Sequence, residues 1–396
     1  MARGTRLIVF NADEGYAPEL RSKLLGIEGV KIVAEVDEPG LLRAAVNQFA
    51  CDVVLVHLDP EPDVLLHVAS QIIRDRPDLP VFAVSGSQDG QMILAAFRGG
   101  FREFLVKPLD VDQLTDGFDR VAQQRTVAPK AGKLVTVIGS VGGVGATTVA
   151  TNLAVELAGI ISGQVALVDL DFRFGQVATL LDVQPSFTIA DLCDTPEQCD
   201  QQMIEKAIVK HPTGVHVLAR PNHFAQAEQI SAAHCSGVLG ALQELYEYVV
   251  VDGPNRYDVG GKAVLDIADV NLLVVQLVVS SIRNTDRILG ELVRAGYNLS
   301  RIKLVCNRIG RETGQLTLDH VEATLGQSVF HTIVDDWRTV SDSINMGEPL
   351  STHAGKSKVR QCVRELAEKI HSPVPPAEPS ASAKKTAGLF GKIFSD

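Results

Sequence analysis

The sequence predicts an α/β protein with two doubly wound parallel sheets in succession, the second built around a phosphate loop. Three observations predict it. Short aliphatic runs alternate with helical stretches over the first 120 residues. A glycine-rich turn, Gly139 to Thr148, joins the strand-like run Leu134–Ile138 to a helix starting near Thr147. Hydrophobic residues make up 45% of the chain and aromatics only 5%, as expected for aliphatic strands buried on both faces. A length of 396 residues suits two cores better than one.

In the first region, strands are expected at Leu7–Phe10, Lys31–Val36, Asp52–Leu58, Val81–Ser85 and Glu103–Val106. Helices are expected at Gly40–Phe49, Val64–Arg74 and Gln91–Phe97. The polar residues fall at strand ends: Asn11, Asp13 and Glu14 after the first, Ser85 after the fourth, Lys107 and Pro108 after the fifth. That order resembles a two-component receiver domain. The resemblance breaks at the end of the third strand, where His57 stands in place of the phosphate-accepting Asp. An imidazole forms no acyl phosphate and offers no carboxylate to Mg²⁺. This region is therefore expected not to work as an aspartyl-phosphate switch, with His57 packed or facing a partner. Asp59, two residues on, points to the same side of an extended chain and is expected in the following loop.

The loop of the second region reads Gly139-Ser140-Val141-Gly142-Gly143-Val144-Gly145-Ala146-Thr147-Thr148. Glycines let backbone N–H groups approach a polyphosphate, and the helix that follows directs its positive dipole end at the same anion. An ordinary phosphate loop carries lysine before the Ser/Thr pair; here the residue is Ala146. Downstream, Val165–Asp171 is a strand ending in Asp169-Leu170-Asp171, Tyr248–Asp252 is a strand ending in Asp252, and Leu304–Arg308 ends in Asn307-Arg308. Together these motifs resemble the MinD/ParA family of deviant Walker ATPases. In that family a second lysine opens the loop, at the position of Val141. The resemblance implies ATP and Mg²⁺ as cofactors, bound by Gly142, Gly143, Val144, Gly145, Ala146, Thr147 and Thr148. It further implies Asn307 against adenine, Thr147, Asp169 and Asp252 at the metal directly or through water, and Asp171 orienting the attacking water if the site is active. The segment from Ile333 to Trp337 and on through Leu350 looks like the one that closes the nucleotide pocket, and a homodimer is implied.

A net charge of −11 opposes attraction to DNA, so no nucleic-acid partner is expected, and any contact with an anionic membrane must be local. Six scattered cysteines, with no C-x-x-C pair, read as reduced structural thiols. Asp266, Asp269, Asn271 and Gln276 interrupt the most apolar stretch, Ala263 to Val279, so no span is predicted. The first residues lead straight into a strand without a signal-peptide pattern, and a cytoplasmic location is expected.

The expected organisation is a receiver-like domain over 1–120, a linker over 121–133, the phosphate-loop domain over 134–371, a Pro/Ala/Ser tether over 372–383 and an amphipathic tail over 384–396. On a helix, Leu389, Phe390, Ile393 and Phe394 share a face, with Lys384, Lys385 and Lys392 placed for lipid headgroups. Such a tail can lie on a membrane surface, dock in a protein groove, or be idle. The order of an atypical receiver and a MinD/ParA-like domain resembles the TadZ/CpaE proteins, which help place type IVb (Flp/Tad) pilus secretion machinery at a cell pole. Three functions follow: a localisation scaffold that binds ATP with weak or absent hydrolysis and recruits pilus-assembly proteins; an active positioning ATPase in which another basic residue, such as Arg173, replaces lysine; or a retained but dead phosphate loop.

Overall fold

The computed structural model describes residues 5–49, 51–124, 132–193, 201–254, 259–297, 299–310 and 316–372. The tether and the tail with Leu389, Phe390, Ile393 and Phe394 lie outside the described residues.

The first region runs β1 (Thr5–Phe10), α1 (Ala17–Gly26), β2 (Val30–Val36), α2 (Pro39–Gln48), β3 (Val53–His57), α3 (Pro62–Asp75), β4 (Val81–Ser85), α4 (Gly90–Arg98), β5 (Glu103–Val106) and α5 (Val111–Gln124). Its sheet has the order β2-β1-β3-β4-β5, all parallel, the flavodoxin-like winding. Val53–Val56 and Val81–Val84 are fully buried because helices cover both faces. Phe82 and Phe118 stack at 5.6 Å and fasten α5 to the sheet. Sequence reasoning passed over α1, whose apolar signal is confined to Leu20, Leu24 and Leu25 within a charged segment opened by Pro18.

The second region continues with β6 (Lys133–Gly139), α6 (Ala146–Ile161), β7 (Val165–Asp169), α7 (Val177–Leu180), α8 (Ile189–Cys193), α9 (Gln201–Ala207), β8 (Val209–Lys210), β9 (Val215–Leu218), α10 (Phe224–Ala227) and α11 (Ala232–Leu245). Then follow β10 (Tyr248–Asp252), α12 (Val259–Ile267), β11 (Val270–Val275), α13 (Val279–Arg294), β12 (Ile302–Ile309), α14 (Leu318–Leu325), β13 (Val329–Val334), α15 (Trp337–Met346), α16 (Leu350–His353) and α17 (Lys358–His371). The strand order is β13-β12-β11-β6-β10-β7-β9-β8, parallel except for the β8–β9 pair. Helix α6 is apolar nearly all round, with Val149 through Ala158 buried, as a helix between sheet and further helices must be. Its one buried acid, Glu156, meets Arg360 Nε at 2.7 Å and Arg364 Nη1 at 3.4 Å, which sets α17 against α6. Among the described residues no helix is long and apolar enough to cross a membrane.

The first sheet sits beneath the amino ends of the central strands of the second. Asp269, just before β11, accepts Lys31 Nζ from β2 at 2.9 Å and the N–H of Leu134 in β6 at 2.7 Å. Arg21 of α1 reaches Asp266 of α12 and Glu35 and lies over the Tyr297 ring at 4.7 Å, while Arg301 donates to Val30 O. Asp266 and Arg21 are nearly buried, so losing one partner would strand the other charge, a penalty of about 3–5 kcal/mol. The phosphate loop lies at the opposite, carboxyl ends of the strands, where open α/β sheets bind ligands.

Candidate functional site

The loop between β6 and α6 turns on Gly143 (φ 78°) and Gly145 (φ 97°), left-handed conformations that favour glycine. Space is open where Gly142 and Gly143 would carry side chains, so an anion can approach their amides. Gly145 caps α6, and Ala146, Thr147 and Thr148 form its first turn, presenting N–H groups and the positive dipole end together. Val141 and Ala146 pack against the core and contribute no charge.

Polar side chains from the end of β11 and from α13 brace the loop's carbonyls. Gln276, following β11, donates to Val144 O at 3.3 Å, and Asn284 to Ser140 O at 3.4 Å. Ser140 and Ser281 hydroxyls meet at 2.7 Å, and Ser281 also accepts the Gln276 N–H. In the structure Asn307 bonds the loop itself: Nδ2 donates to Val144 O at 2.8 Å, and Oδ1 accepts Arg308 N at 2.9 Å. Its amide also lies where a Cβ on Gly145 would stand. Arg308, on the next residue, donates to Gly143 O at 3.2 Å. Sequence reasoning missed Gln276, Ser281, Asn284 and Arg308 as loop contacts. A polar Gln closing the run Leu272–Val275 was the available signal for Gln276.

Three carboxylates face the loop from the next strands. Asp169 and Asp252 are register neighbours on β7 and β10, both almost fully buried. Asp169 accepts the N–H of Asp171 at 3.1 Å and of Val177 at 3.2 Å, and only glycine fits at 175, where a Cβ would collide with this carboxylate. Burial pushes Asp169 up to about 7 against those two bonds. Asp252 is pushed up to about 8, first by burial and then by the charge of Asp169, with a hydrogen bond from Thr147 opposing. Its Oδ2 is buried without a protein partner. Asp171, half-buried, accepts the N–H groups of Phe174 at 3.1 Å and Arg173 at 3.4 Å, closing a turn at the loop's edge. An orphan carboxylate oxygen beside a threonine hydroxyl and a second buried acid fits a hard divalent cation such as Mg²⁺. Thr147, Asp169 and Asp252 are thus brought together, with Asp171 at the rim.

The segment after β13 covers the loop's other side. Gly145, Thr148, Asn307, Arg308, Asp336 and Trp337 line a cavity of ≈ 50 Å³, and Leu350 N–H donates to Asn152 of α6 at 2.8 Å. Trp337 is 63% exposed at its mouth.

In the first sheet, the pocket after β3 is filled from within. Asp59 follows β3, yet its carboxylate turns back into the pocket, accepting Lys107 Nζ at 2.7 Å, Ser85 Oγ at 2.7 Å and Gly86 N–H at 2.8 Å. These donors hold it well below the usual carboxylate range although burial acts the other way. His57 is fully buried; burial and then the Lys107 charge lower its pKa, so the ring is neutral. Its Nε2 then accepts from Lys107 at 2.9 Å and its Nδ1–H donates to Asn11 Oδ1 at 2.6 Å. Acetyl phosphate with Mg²⁺ should consequently leave the chain unlabelled, because His57 stands at the acceptor position and both oxygens of Asp59 are engaged by donors. Stoichiometric acid-labile phosphate in intact-mass spectra would overturn this.

Residues 132–298 match the family model of an AAA domain. Septum site-determining protein MinD of Synechocystis is 27% identical over 55% of this chain and 81% of its own length, and MinD of Bacillus subtilis 27% over 67% and 97%. Among solved structures, a ParA family ATPase from Chlorobium tepidum superposes with a TM-score of 0.58 at 22% identity, covering 61% of this chain and 99% of that one. MinD from Pyrococcus horikoshii, complexed with Mg-ADP, superposes with a TM-score of 0.53 at 21% identity over 60% and 96%. The second region is a MinD/ParA-like AAA domain, preceded by a parallel α/β domain.

Proposed function

We propose that this chain, whose second domain is MinD/ParA-like, is a nucleotide-binding localisation scaffold for type IVb pilus assembly, with weak or absent hydrolysis. The observation that carries the reading is a fully formed phosphate loop without either lysine: the glycine geometry, α6 and the cluster of Thr147 with the acids Asp169 and Asp252 stand around Val141 and Ala146. Backbone amides of Gly142 to Thr148 bind the phosphates of ATP. Thr147, Asp252 and Asp169 would hold Mg²⁺, directly or through water, and Asp171 would orient water. The bound metal neutralises charge on the phosphate oxygens. Without lysine to draw the terminal phosphate into line, binding outlasts chemistry.

The first domain, its pocket filled by Asp59, serves as a fixed docking module for assembly proteins rather than as a switch. Two chains pair as a homodimer, and the tail gives a local attachment to the cytoplasmic face of the membrane near a pole. A weak amphipathic segment on each of two chains gains by effective concentration.

Equilibrium ATP binding and phosphate release, measured on the purified full chain, test the reading. Binding without turnover is expected. Turnover abolished by Asp171→Ala would replace the scaffold with a positioning ATPase, and no binding at all would leave the loop a structural relic.

A further inference from the structure

We infer that Arg308 supplies to a bound nucleoside polyphosphate the positive charge that Val141 and Ala146 have removed from the loop. The inference rests on the nucleotide-binding reading above and adds a phosphate-recognising residue to the same site.

The backbone sets Arg308 apart. Between Cys306 and Ile309 the register of β12 against β13 shifts, so that three steps on β12 match two on β13, from Thr332 to Val334. An extra residue of this kind bends a strand and re-aims its side chains. Arg308 takes up the bend with φ 59°, a left-handed conformation uncommon for a residue with a side chain. The result is that consecutive residues, Asn307 and Arg308, both turn onto the phosphate loop instead of to opposite faces of the sheet. Asn307 holds the arrangement by bonding Val144 O with one end of its amide and Arg308 N with the other.

The guanidinium is half-exposed and donates to Gly143 O, beside the open space over Gly142 and Gly143. A peptide carbonyl is a neutral acceptor. Phosphate oxygens are charged, and their geometry matches the planar fork of a guanidinium. When a polyphosphate enters, the side chain can exchange Gly143 O for phosphate oxygens by rotating about its own stem, with the backbone left in place. The other arginines nearby are turned elsewhere: Arg220 donates to Gly175 O and Pro221 O, and Arg173 is exposed in the turn closed by Asp171. Arg308, unlike Arg173, hydrogen-bonds the loop.

Calorimetric titration of the full chain with ATP, ADP and adenosine tests the inference. Arg308→Ala should weaken ATP binding roughly ten- to a hundredfold, ADP less, and leave adenosine unchanged, because the lost contact is to phosphate charge. Arg308→Lys should recover part of the loss. A thermal melt equal to the wild type's confirms that the variant folds, and Ala146→Lys placed in the Arg308→Ala chain should restore ATP affinity if the two cations do the same task. A parallel fall for all three ligands would make Arg308 a brace for the loop and overturn the inference, as would unchanged ATP affinity. Failure of the wild type to bind any of the three would instead refute nucleotide binding itself, and the inference with it.

Discussion

Ala146→Lys is expected to tighten ATP binding by roughly ten- to a hundredfold, since each charge-assisted hydrogen bond to phosphate contributes about 1.5–3 kcal/mol. The position favours the gain. Ala146 is the first residue of α6, and helical side chains lean toward the helix amino terminus, so a lysine there extends toward the mouth of the loop. The Ala146 side chain is only partly buried, which leaves the longer stem a way out. The gain should shrink when Arg308 is intact and grow when it is removed, because two cations on one phosphate cluster are not additive. Calorimetry that finds the same affinity in the wild type and in the Ala146→Lys chain would mean that the pocket is closed or already compensated, and the Arg308→Ala background separates the two.

The second large effect is on pH. Asp252 at about 8 and Asp169 at about 7 form a coupled pair that is largely protonated at neutral pH when no metal is present. Mg²⁺ requires the carboxylates bare, so Mg²⁺-dependent ATP affinity should climb as pH rises from 6 to 8. The slope is about tenfold per pH unit for each proton released, and it levels off above the higher pKa. Stability of the free protein runs the other way. Both pKa values lie above their unfolded values, so the stability linked to these protons is full below about pH 4 and is lost as pH rises through 7 and 8. Scanning calorimetry should therefore show the free protein melting lower at pH 8.5 than at pH 6, and Mg·ATP raising the melt most at the higher pH. Asp252→Asn should flatten both trends and abolish the Mg²⁺ dependence. A Mg·ATP affinity indifferent to pH would sink the assignment of these acids to the metal.

How far the sequence reaches depends on which interactions are local. Strands β4 and β5 are where the runs Val81–Ser85 and Glu103–Val106 put them, and β4, buried on both faces, is the more plainly written in its own residues. Gly143 and Gly145 mark the loop because only a left-handed turn needs them there. Asp59 was harder. Its place in the loop after β3 is a local matter, but the turn of its carboxylate into the pocket depends on Lys107 and Ser85, brought in by two other strands. Arg308 was out of reach, since the bulge that aims it is a property of the pairing of β12 with β13 and not of either segment. The Asn307–Arg308 pair was legible as a motif, whereas its bonding to Val144 and Gly143 was not.

The contact of Arg21 with Asp266 joins residues 245 positions apart in the chain. During synthesis at about 5–20 residues per second, Arg21 emerges roughly 12–50 s before its partner exists. The first domain can complete its sheet in that interval, but the outer edge of β2, with Lys31 and the carbonyl of Val30, must wait for Asp269 and Arg301. A nascent chain thus carries an unpaired edge strand of the kind that recruits foreign strands. Assembly order is imposed by this seam: the first domain is finished early and docks only once the chain to Arg301 has emerged, before β13 and α17 exist, so its edge stays open through the middle of translation.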